Sequence, residues 1–263
     1  MFTGLRHNLV NAGTGLVTEF CNLFDMGNIF GAMANCSACI VACEGTRFNG
    51  VTDFGNHLTP SQSNSKVGTI SVWFKLNGSD GVNFSIYITT GLRFRLVRNA
   101  SNLLQILGKN AALTNILRMR ATGTYTADST WKHLIASWDL ANTTGWMYID
   151  GVDVLDAAQP PIFTNDTVVL NDVGLNLPQA ALNGELTEFW FDSVWTPNTA
   201  ANREKFRSAI GEPVSLGADG STPFGSSPSE YYTGGDPEFF TNSGTGNDLT
   251  RQGSPSTVDG PGV

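Results

Sequence analysis

The sequence predicts an all-β protein built from two packed antiparallel sheets, with one short helix and an extended arm toward the C-terminus. Between residues 46 and 195, short segments alternate apolar and polar residues with period two, which is typical of half-buried strands. Clusters of Gly, Asn, Asp, Ser and Thr separate these segments and favour turns. Many short strands that each bury one face close into a sandwich or a barrel, and we choose a two-sheet sandwich.

Three central segments, "TISVWFKL", "NFSIYITT" and "LRFRLVR", carry the clearest alternation. The residues that share the apolar face of each segment are predicted to lie in the core: Ile70, Val72 and Phe74; Phe84, Ile86 and Ile88; Leu92, Phe94 and Leu96. Their neighbours, among them Arg93 and Arg95, point to the other face. Further along, Asp150-Gly151 separates two apolar segments, and an Asp-Gly pair in that setting predicts a tight hairpin.

The composition divides the chain into four regions. Residues 1–45 form an apolar, Cys-containing segment suited to attachment or oligomerisation, and residues 46–195 form the sandwich. Residues 196–212 are predicted to be one docked helix, with Thr196 as N-cap, Pro197 in the first turn, and Phe206 and Ile210 as its apolar stripe. Residues 213–263 are rich in Gly, Ser and Pro, and their recurring aromatic residues predict an extended arm laid over protein, with about the last ten residues loose.

The charge balance restricts the classes of partner. The chain has 15 basic and 23 acidic residues, a net charge of −8, and this argues against nucleic acid as a partner. The longest apolar stretch, residues 29–43, is too short to cross a bilayer, and the first residues do not resemble a signal peptide. Only 14% of the residues are charged, against roughly 25% in ordinary domains. We therefore expect much of the surface to form subunit contacts.

All four cysteines lie near the N-terminus, at Cys21, Cys36, Cys39 and Cys43. A zinc site is one interpretation, but the CxxC pair is half of the usual pattern and no second pair follows it. Buried free thiols are the favoured interpretation, because Cys is among the most buried residue types and the intervening residues are apolar.

Four blocks of the central region carry a family resemblance. "TRFNGVTDFGN", "GTISVWFKLN", "STWKHLIASWDLANTTGWMYIDGVDV" and "LNGELTEFWFDSVW" resemble, in that order, the blocks of the laminin-G-like, concanavalin A-like jelly-roll family. The resemblance implies two antiparallel sheets, with the following residues in framework positions: Trp131, His133, Trp138, Tyr148, Asp150 and Gly151. It does not decide function, because one fold hosts many functions.

The sequence predicts no catalytic residues. In "ELTEFWFD", Glu185 and Glu188 are three residues apart and would point to opposite faces of a regular strand. Glu188 and Asp192 share a face but lie about 13 Å apart, beyond the separations of about 5 to 9.5 Å used by glycosidases. No nucleophile elbow, phosphate loop or paired-His metal motif is present, so we predict that the chain is not an enzyme.

Metal and glycan binding remain as alternatives. No cofactor is expected, although loop aspartates of laminin-G-like domains often bind calcium, and Asp53 and Asp172 are the candidates here, with Asp80, Asp128 and Asp166 as further loop carboxylates. Outward aromatic residues often mark a partner surface. The candidates for glycan or partner contact are Trp73, Trp190, Tyr231, Tyr232, Phe239 and Phe240. A layer formed by the chain's own termini, or a neighbouring subunit, is the favoured cover for the two tryptophans.

The C-terminal region carries a second resemblance. "GEPVSLGADGSTPFG" followed by "NSGTG" is similar to the C-terminal segment of laminin-G-like structural proteins of tailed bacteriophages. This resemblance implies a non-catalytic virion protein, a decoration, head-fibre or tail-associated subunit, assembled in the bacterial cytoplasm. Its partners would be other virion proteins and copies of itself. The alternative is a carbohydrate-binding adhesin that recognises host-surface glycans.

Overall fold

A computed structural model describes residues 43–58, 62–171, 174–179 and 181–262. Its strands, in chain order, are β1 (Glu44–Asn49), β2 (Phe54–His57), β3 (Val67–Leu76), β4 (Phe84–Thr89), β5 (Phe94–Arg98), β6 (Leu103–Lys109), β7 (Asn115–Thr124), β8 (Trp131–Asp139), β9 (Thr144–Ile149), β10 (Val152–Asp153), β11 (Ile162–Phe163), β12 (Leu175–Leu177), β13 (Asn183–Asp192), β14 (Glu230–Tyr232), β15 (Thr250–Gln252) and β16 (Ser256–Asp259). Within these residues there is one α-helix, α1 (Ala200–Arg203), and one 3-10 turn, Glu238–Phe240.

The strands form two eight-stranded antiparallel sheets. Sheet A runs β10-β9-β8-β3-β13-β1-β16, with β14 added beside β13, and sheet B runs β11-β7-β6-β5-β4-β12-β2-β15. Strands that are distant in sequence pair with each other, as β3 does with β13 and β1 with β16. The predicted all-β, two-sheet jelly-roll sandwich is thereby confirmed.

Burial along the strands shows which sheet faces are covered. Every second residue of β6 is buried, the pattern of a strand with one face on the core and one facing solvent. In β3, by contrast, eight of ten residues are buried, and in β13 seven of ten, so that both faces of these two strands are covered. The outer face of sheet A is therefore covered by other parts of the chain, and the outer face of sheet B is open along β6.

The core between the sheets contains most of the predicted apolar residues. Ile70, Val72 and Phe74 are fully buried there, as are Phe94 and Leu96. The "NFSIYITT" segment differs from the prediction because a β-bulge shifts the register between Ser85 and Tyr87. One extra residue reverses the alternation beyond it. The structure corrects the prediction accordingly: Tyr87 lies in the core and Ile88 lines the outer face.

The predicted Asp150-Gly151 hairpin is confirmed. Both residues have positive φ, 52° and 79°, as a two-residue type I′ turn requires. The turn joins β9 to β10 with Ile149 opposite Val152.

The predicted helix over residues 196–212 is wrong in length and in its cap. The α-helix covers Ala200–Arg203 only, and its N-cap is Thr199, whose hydroxyl accepts a hydrogen bond from the Asn202 amide. Thr196 is instead buried on sheet A, where its hydroxyl lies 2.8 Å from that of Thr69. The predicted apolar stripe is absent, because Phe206 is buried whereas Ile210 is 77% exposed.

The C-terminal region is more ordered than the sequence suggests. An extended arm over residues 213–263 is correct only in part, since β14, β15 and β16 add strands to both sheets. The expectation that the last ten residues are loose is wrong: β16 pairs with β1 along Glu44–Arg47. Although the C-terminal region contains few apolar residues, its strands are held in place by backbone hydrogen bonds to neighbouring strands.

Most of the predicted N-terminal segment, residues 1–45, lies outside the described residues, as do Cys21, Cys36 and Cys39. Cys43 is buried with a free thiol, as the favoured interpretation predicts for this residue, and burial raises its pKa to about 12. Among the residues that the structure describes, no helix is long and apolar enough to cross a membrane.

Candidate functional site

The outer face of sheet A is closed by residues 194–224. Trp190 on β13 packs against Phe206 and Phe224, with ring centroids 5.2 and 5.5 Å away. The Trp190 indole donates a hydrogen bond to the Gly220 carbonyl at 3.0 Å. The Trp146 indole likewise donates to the Thr196 carbonyl at 2.7 Å. The interpretation that the chain's own C-terminal part covers this face is confirmed for Trp190.

The aromatic residues predicted to contact a glycan or partner are not available for that role. All six side chains are at most 5% exposed: Trp73, Trp190, Tyr231, Tyr232, Phe239 and Phe240. Tyr232, Phe239 and Phe240 belong to the core between the sheets, while Trp190 and Tyr231 belong to the cluster on sheet A. The alternation placed Trp73 and Trp190 correctly on the outer face, but it could not show that a later segment covers that face.

A bulge in β13 changes the relation between the candidate carboxylates. The register with β3 shifts between Thr187 and Trp190, and Glu188 has φ of 48°. Glu188 is therefore not on the core side, as regular alternation would require. It accepts hydrogen bonds from Tyr231 and Thr233, on the same outer side as Glu185. The expectation that the two glutamates point to opposite faces is corrected by this extra residue.

Each of the three carboxylates is held by neighbouring side chains. Glu185 is fully buried and forms ion pairs with Arg47 and Lys75, at 2.6 and 2.8 Å. Asp192 accepts a hydrogen bond from the Ser229 hydroxyl at 2.8 Å. Burial raises the pKa of Glu188 although the two hydroxyl donors lower it.

His133, a framework residue of the resemblance, is a buried structural side chain. Its Nε2 lies 2.8 Å from the Ser71 hydroxyl, and its backbone amide donates to Asp150. Burial, together with the nearby Arg207 charge, lowers its pKa to about 3. The imidazole is therefore neutral at neutral pH.

The loop aspartates have structural partners in the described part of the chain. Asp53 is buried, and its carboxylate accepts from the amides of Asn49 and Ser254, which ties the β1–β2 turn to the β15–β16 turn. Asp80 pairs with Arg98 at 2.9 Å. Asp172 lies outside the described residues. Among described residues, no group of three or more His, Cys, Asp or Glu is placed to hold a metal ion.

The open face of sheet B carries a groove of about 350 Å³. Strands β4, β5 and β6 form its floor, with Ser85 opposite Val97 and Val97 opposite Gln105 in one cross-strand row. The neighbouring row places Ile88 opposite Arg95 and Arg95 opposite Leu107. The described lining residues are Asn83, Phe84, Ser85, Ile88, Leu92, Arg95, Val97, Asn99, Gln105, Leu107 and Gln179.

The lining of this groove combines aliphatic and hydrogen-bonding groups. Leu107 supplies partly exposed apolar surface, whereas Ile88 and Val97 are buried in the floor of the groove. Gln105 and Gln179 supply amides that bond to no other described side chain. None of the lining residues described is acidic. The sheet B groove can therefore accept a small polar ligand with both donors and acceptors.

A second cavity, of about 220 Å³, lies between sheet A and the segment that covers it. Arg203, Glu204 and Arg207 contribute charges of both signs to its lining. The Arg203 guanidinium already lies 4.1 Å from the ring centroid of Tyr148. This cavity is smaller, and part of its charge is already engaged, so the sheet B groove is the better candidate site.

Sequence reasoning did not select the groove residues as a site. The alternation in "LRFRLVR" predicts that Arg95 lies on the outer face, and the structure places it there. Nothing in the sequence indicates that β4 and β6 bring Ile88, Gln105 and Leu107 beside it. This juxtaposition depends on strand pairing and on the bulge at Ile86.

Comparison with known proteins agrees with the sandwich. Among solved structures, a candidate carbohydrate-binding protein from Bacteroides ovatus matches with a TM-score of 0.58 and 16% identity, over 83% of this chain and 60% of the other. A heptameric SAP-like pentraxin from Limulus polyphemus matches with a TM-score of 0.50 and 10% identity, over 85% of this chain and 97% of the other. The chain thus spans about 60% of the length of the first protein.

A third structure, the CBM40 module of a Ruminococcus gnavus IT-sialidase, matches with a TM-score of 0.42 and 11% identity, over 59% of this chain and 92% of the module. No curated protein matches the chain. A laminin G family model, described as the concanavalin A-like lectin/glucanases superfamily, matches residues 49–199, which is more than half of the 263 residues. The chain belongs to the concanavalin A-like lectin/glucanases superfamily.

Proposed function

We propose that the chain is a carbohydrate-binding protein that holds a glycan in the groove on the outer face of sheet B. The observation that carries the proposal is the lining of this groove, where unpaired amides stand beside aliphatic surface on the open sheet face. Sugar hydroxyls both donate and accept hydrogen bonds, and an amide side chain can complement both roles. The apolar C–H face of a sugar ring would lie on the exposed part of Leu107.

The size of the groove is consistent with a small glycan. Its volume of about 350 Å³ lies at the lower end of the range of ligand pockets. Phe84, the one aromatic residue among the described lining, is 1% exposed and offers no ring face for stacking. Affinity would rest on hydrogen bonds, each of net strength about 0.5–1.5 kcal/mol, so we expect weak monovalent binding.

We propose binding without cleavage. Support comes from the three carboxylates that the sequence offered as catalytic candidates, since all of them lie on strand β13 of sheet A and have hydrogen-bond or ion-pair partners. None of them lines the groove on sheet B.

A glycan array probed with the full chain, followed by calorimetry on the best glycan, tests the proposal. Gln105→Ala should weaken binding by about two- to tenfold, the loss of one hydrogen bond. Gln159→Ala is the matched control, because Gln159 is exposed and lies outside the groove. Absence of binding to every glycan, or equal loss in both variants, would contradict the proposal.

A virion role is a second proposal, supported by the C-terminal resemblance to bacteriophage structural proteins and by the low charged fraction of 14%. In this second proposal, the chain is a decoration, head-fibre or tail-associated subunit located on the particle. It contacts other virion proteins and copies of itself. Because the C-terminal region completes both sheets, residues 1–42 are the better candidate for attachment. Glycan binding and particle attachment are compatible on one adhesin.

Deletion of residues 1–42 tests this attachment, and the deletion should stop there because β1 begins at Glu44. The shortened chain should keep its melting temperature but fail to incorporate into phage particles, or to self-associate in sedimentation velocity. Incorporation at the level of the full chain would exclude this attachment mode.

A further inference from the structure

Arg95 differs from most basic residues of the described chain because it has no partner. Its Nε is buried and hydrogen-bonds to no other described atom. No ion pair or hydrogen bond among the described residues involves its guanidinium group. Arg47, Arg98, Arg120 and Arg251, by comparison, each pair with a carboxylate within 3 Å. A guanidinium with no acceptor among the described residues keeps its N–H donors available for water or for a ligand that supplies acceptors.

The surroundings of Arg95 reinforce its positive charge. Cross-strand pairing places Arg95 opposite Leu107 and Leu107 opposite Arg118, so the two arginines lie about 10 Å apart on one face of the sheet. Arg93 donates to the carbonyls of Asn110 and Ala111 and has no carboxylate partner. In a chain of net charge −8, the open face near β5 is locally basic.

We propose that the glycan bound in this groove is acidic, and that its carboxylate is held by Arg95. This inference rests on the proposed carbohydrate binding and adds the class of sugar. A guanidinium group presents two parallel N–H donors that match the two oxygens of a carboxylate. No acidic residue among the described lining competes for those donors.

The neutral groups of the groove then hold the rest of the sugar. Gln105 lies one row along the sheet from Arg95, since it faces Val97 on the same strand pair. Leu107 lies directly beside Arg95 and offers apolar surface. The charge of Arg95 would select an acidic sugar, and the amides would orient it. The contribution of the charge to affinity can therefore be measured separately from that of the amides.

The experiment uses the full chain and three tetrasaccharides: one that contains glucuronic acid, its carboxyl-reduced neutral form, and a sulfated form of that neutral tetrasaccharide. Calorimetry should show that the carboxylate form binds at least about tenfold more tightly than the neutral form, as an added charge-assisted hydrogen-bond pair predicts. This preference should shrink as salt is raised, because salt screens charge. The sulfated arm shows whether carboxylate geometry or charge alone is recognised.

The variants locate the preference. Arg95→Gln should abolish the preference for the carboxylate form, whereas Arg95→Lys should retain part of that preference. Arg203→Gln is the matched control, because it removes the same charge from the segment that covers sheet A. A preference that is lost in Arg95→Gln, reduced in Arg95→Lys and kept in Arg203→Gln supports the proposal.

Three outcomes overturn the inference, and each points to a different alternative. Equal binding of acidic and neutral forms, across these probes and a wider array of such pairs, excludes an acidic ligand but leaves carbohydrate binding intact. Absence of binding to any glycan overturns both proposals. Tighter binding of the sulfated than of the carboxylate form would assign Arg95 to a sulfate rather than to a carboxylate.

Discussion

The Tyr87 hydroxyl donates a hydrogen bond to Oε1 of Glu230 at 3.1 Å in the interior of the sandwich. Tyr87 is on β4 of sheet B and Glu230 is on β14 of sheet A, so this bond links the two sheets through the core. Glu230 is fully buried, and desolvation raises its pKa to about 8. The carboxyl group is therefore mostly protonated at neutral pH, and its ionisation opposes folding.

We expect the free energy of unfolding to fall as pH rises from about 6.5 to 8. The pKa of Glu230 is raised from 4.5 to about 8, so the native state holds a proton that the unfolded state has lost. One such proton changes stability by about 1.4 kcal/mol per pH unit, with the full contribution present below pH 4.5. Thermal or urea unfolding at intervals of pH measures this slope.

Glu230→Gln should remove most of that slope, because an amide keeps the acceptor for Tyr87 and does not ionise. Glu238→Gln is the control, since it removes a carboxyl group from an exposed position. If the slope between pH 6.5 and 8 is the same in wild type and Glu230→Gln, the carboxyl group is not the cause.

His133 should produce the opposite slope at lower pH. Burial lowers its pKa to about 3 from 6.5, so stability is lost as pH falls below 6.5 toward 3. Between 4.5 and 6.5 this slope opposes that of Glu230, so it is best measured in the Glu230→Gln background. There, unfolding at pH 6.5 and pH 5 should differ by up to about 2 kcal/mol. Adding His133→Gln should abolish the difference, and persistence of the difference would assign it to other groups.

Trp190→Ala should destabilise the fold by about 3–5 kcal/mol, because the ring is 1% exposed and packs against Phe206 and Phe224. Trp190→Phe keeps much of the packing but loses the hydrogen bond to Gly220, so we expect about 1–2 kcal/mol. Urea unfolding measures both. Glycan affinity, measured in the variants that remain folded, should be unchanged. A loss of glycan affinity in a folded variant would instead show that Trp190 contacts the glycan.

Deletion of residues 254–263 should lower the melting temperature and promote aggregation. It removes β16, which pairs with β1, and leaves an unpaired strand edge in sheet A. Differential scanning calorimetry and light scattering detect the two effects. Deletion of residues 261–263 alone is the control, because it leaves β16 intact. Equal stability of both deletions would show that β16 contributes little.

The sequence was sufficient for features that depend on local patterns. Period-two alternation identified the central strands and the core residues Ile70, Val72 and Phe74, and Asp150-Gly151 identified the β9–β10 hairpin. These succeeded because side-chain alternation and positive φ depend on near neighbours. The same reasoning placed Arg95 on the outer face, although it did not identify a site there.

Tertiary structure decided what depends on distant segments. Residues 194–224 cover sheet A and bury Trp190, and the bulges at Ile86 and Glu188 reverse the expected faces. The Gly- and Ser-rich C-terminal region becomes strands because β1, β2 and β13 have free edges to pair with it. Alternation tells which face a side chain is on, but only strand pairing across the sandwich tells what lies over that face. For this reason the open groove beside Arg95 is visible in the fold and not in the sequence.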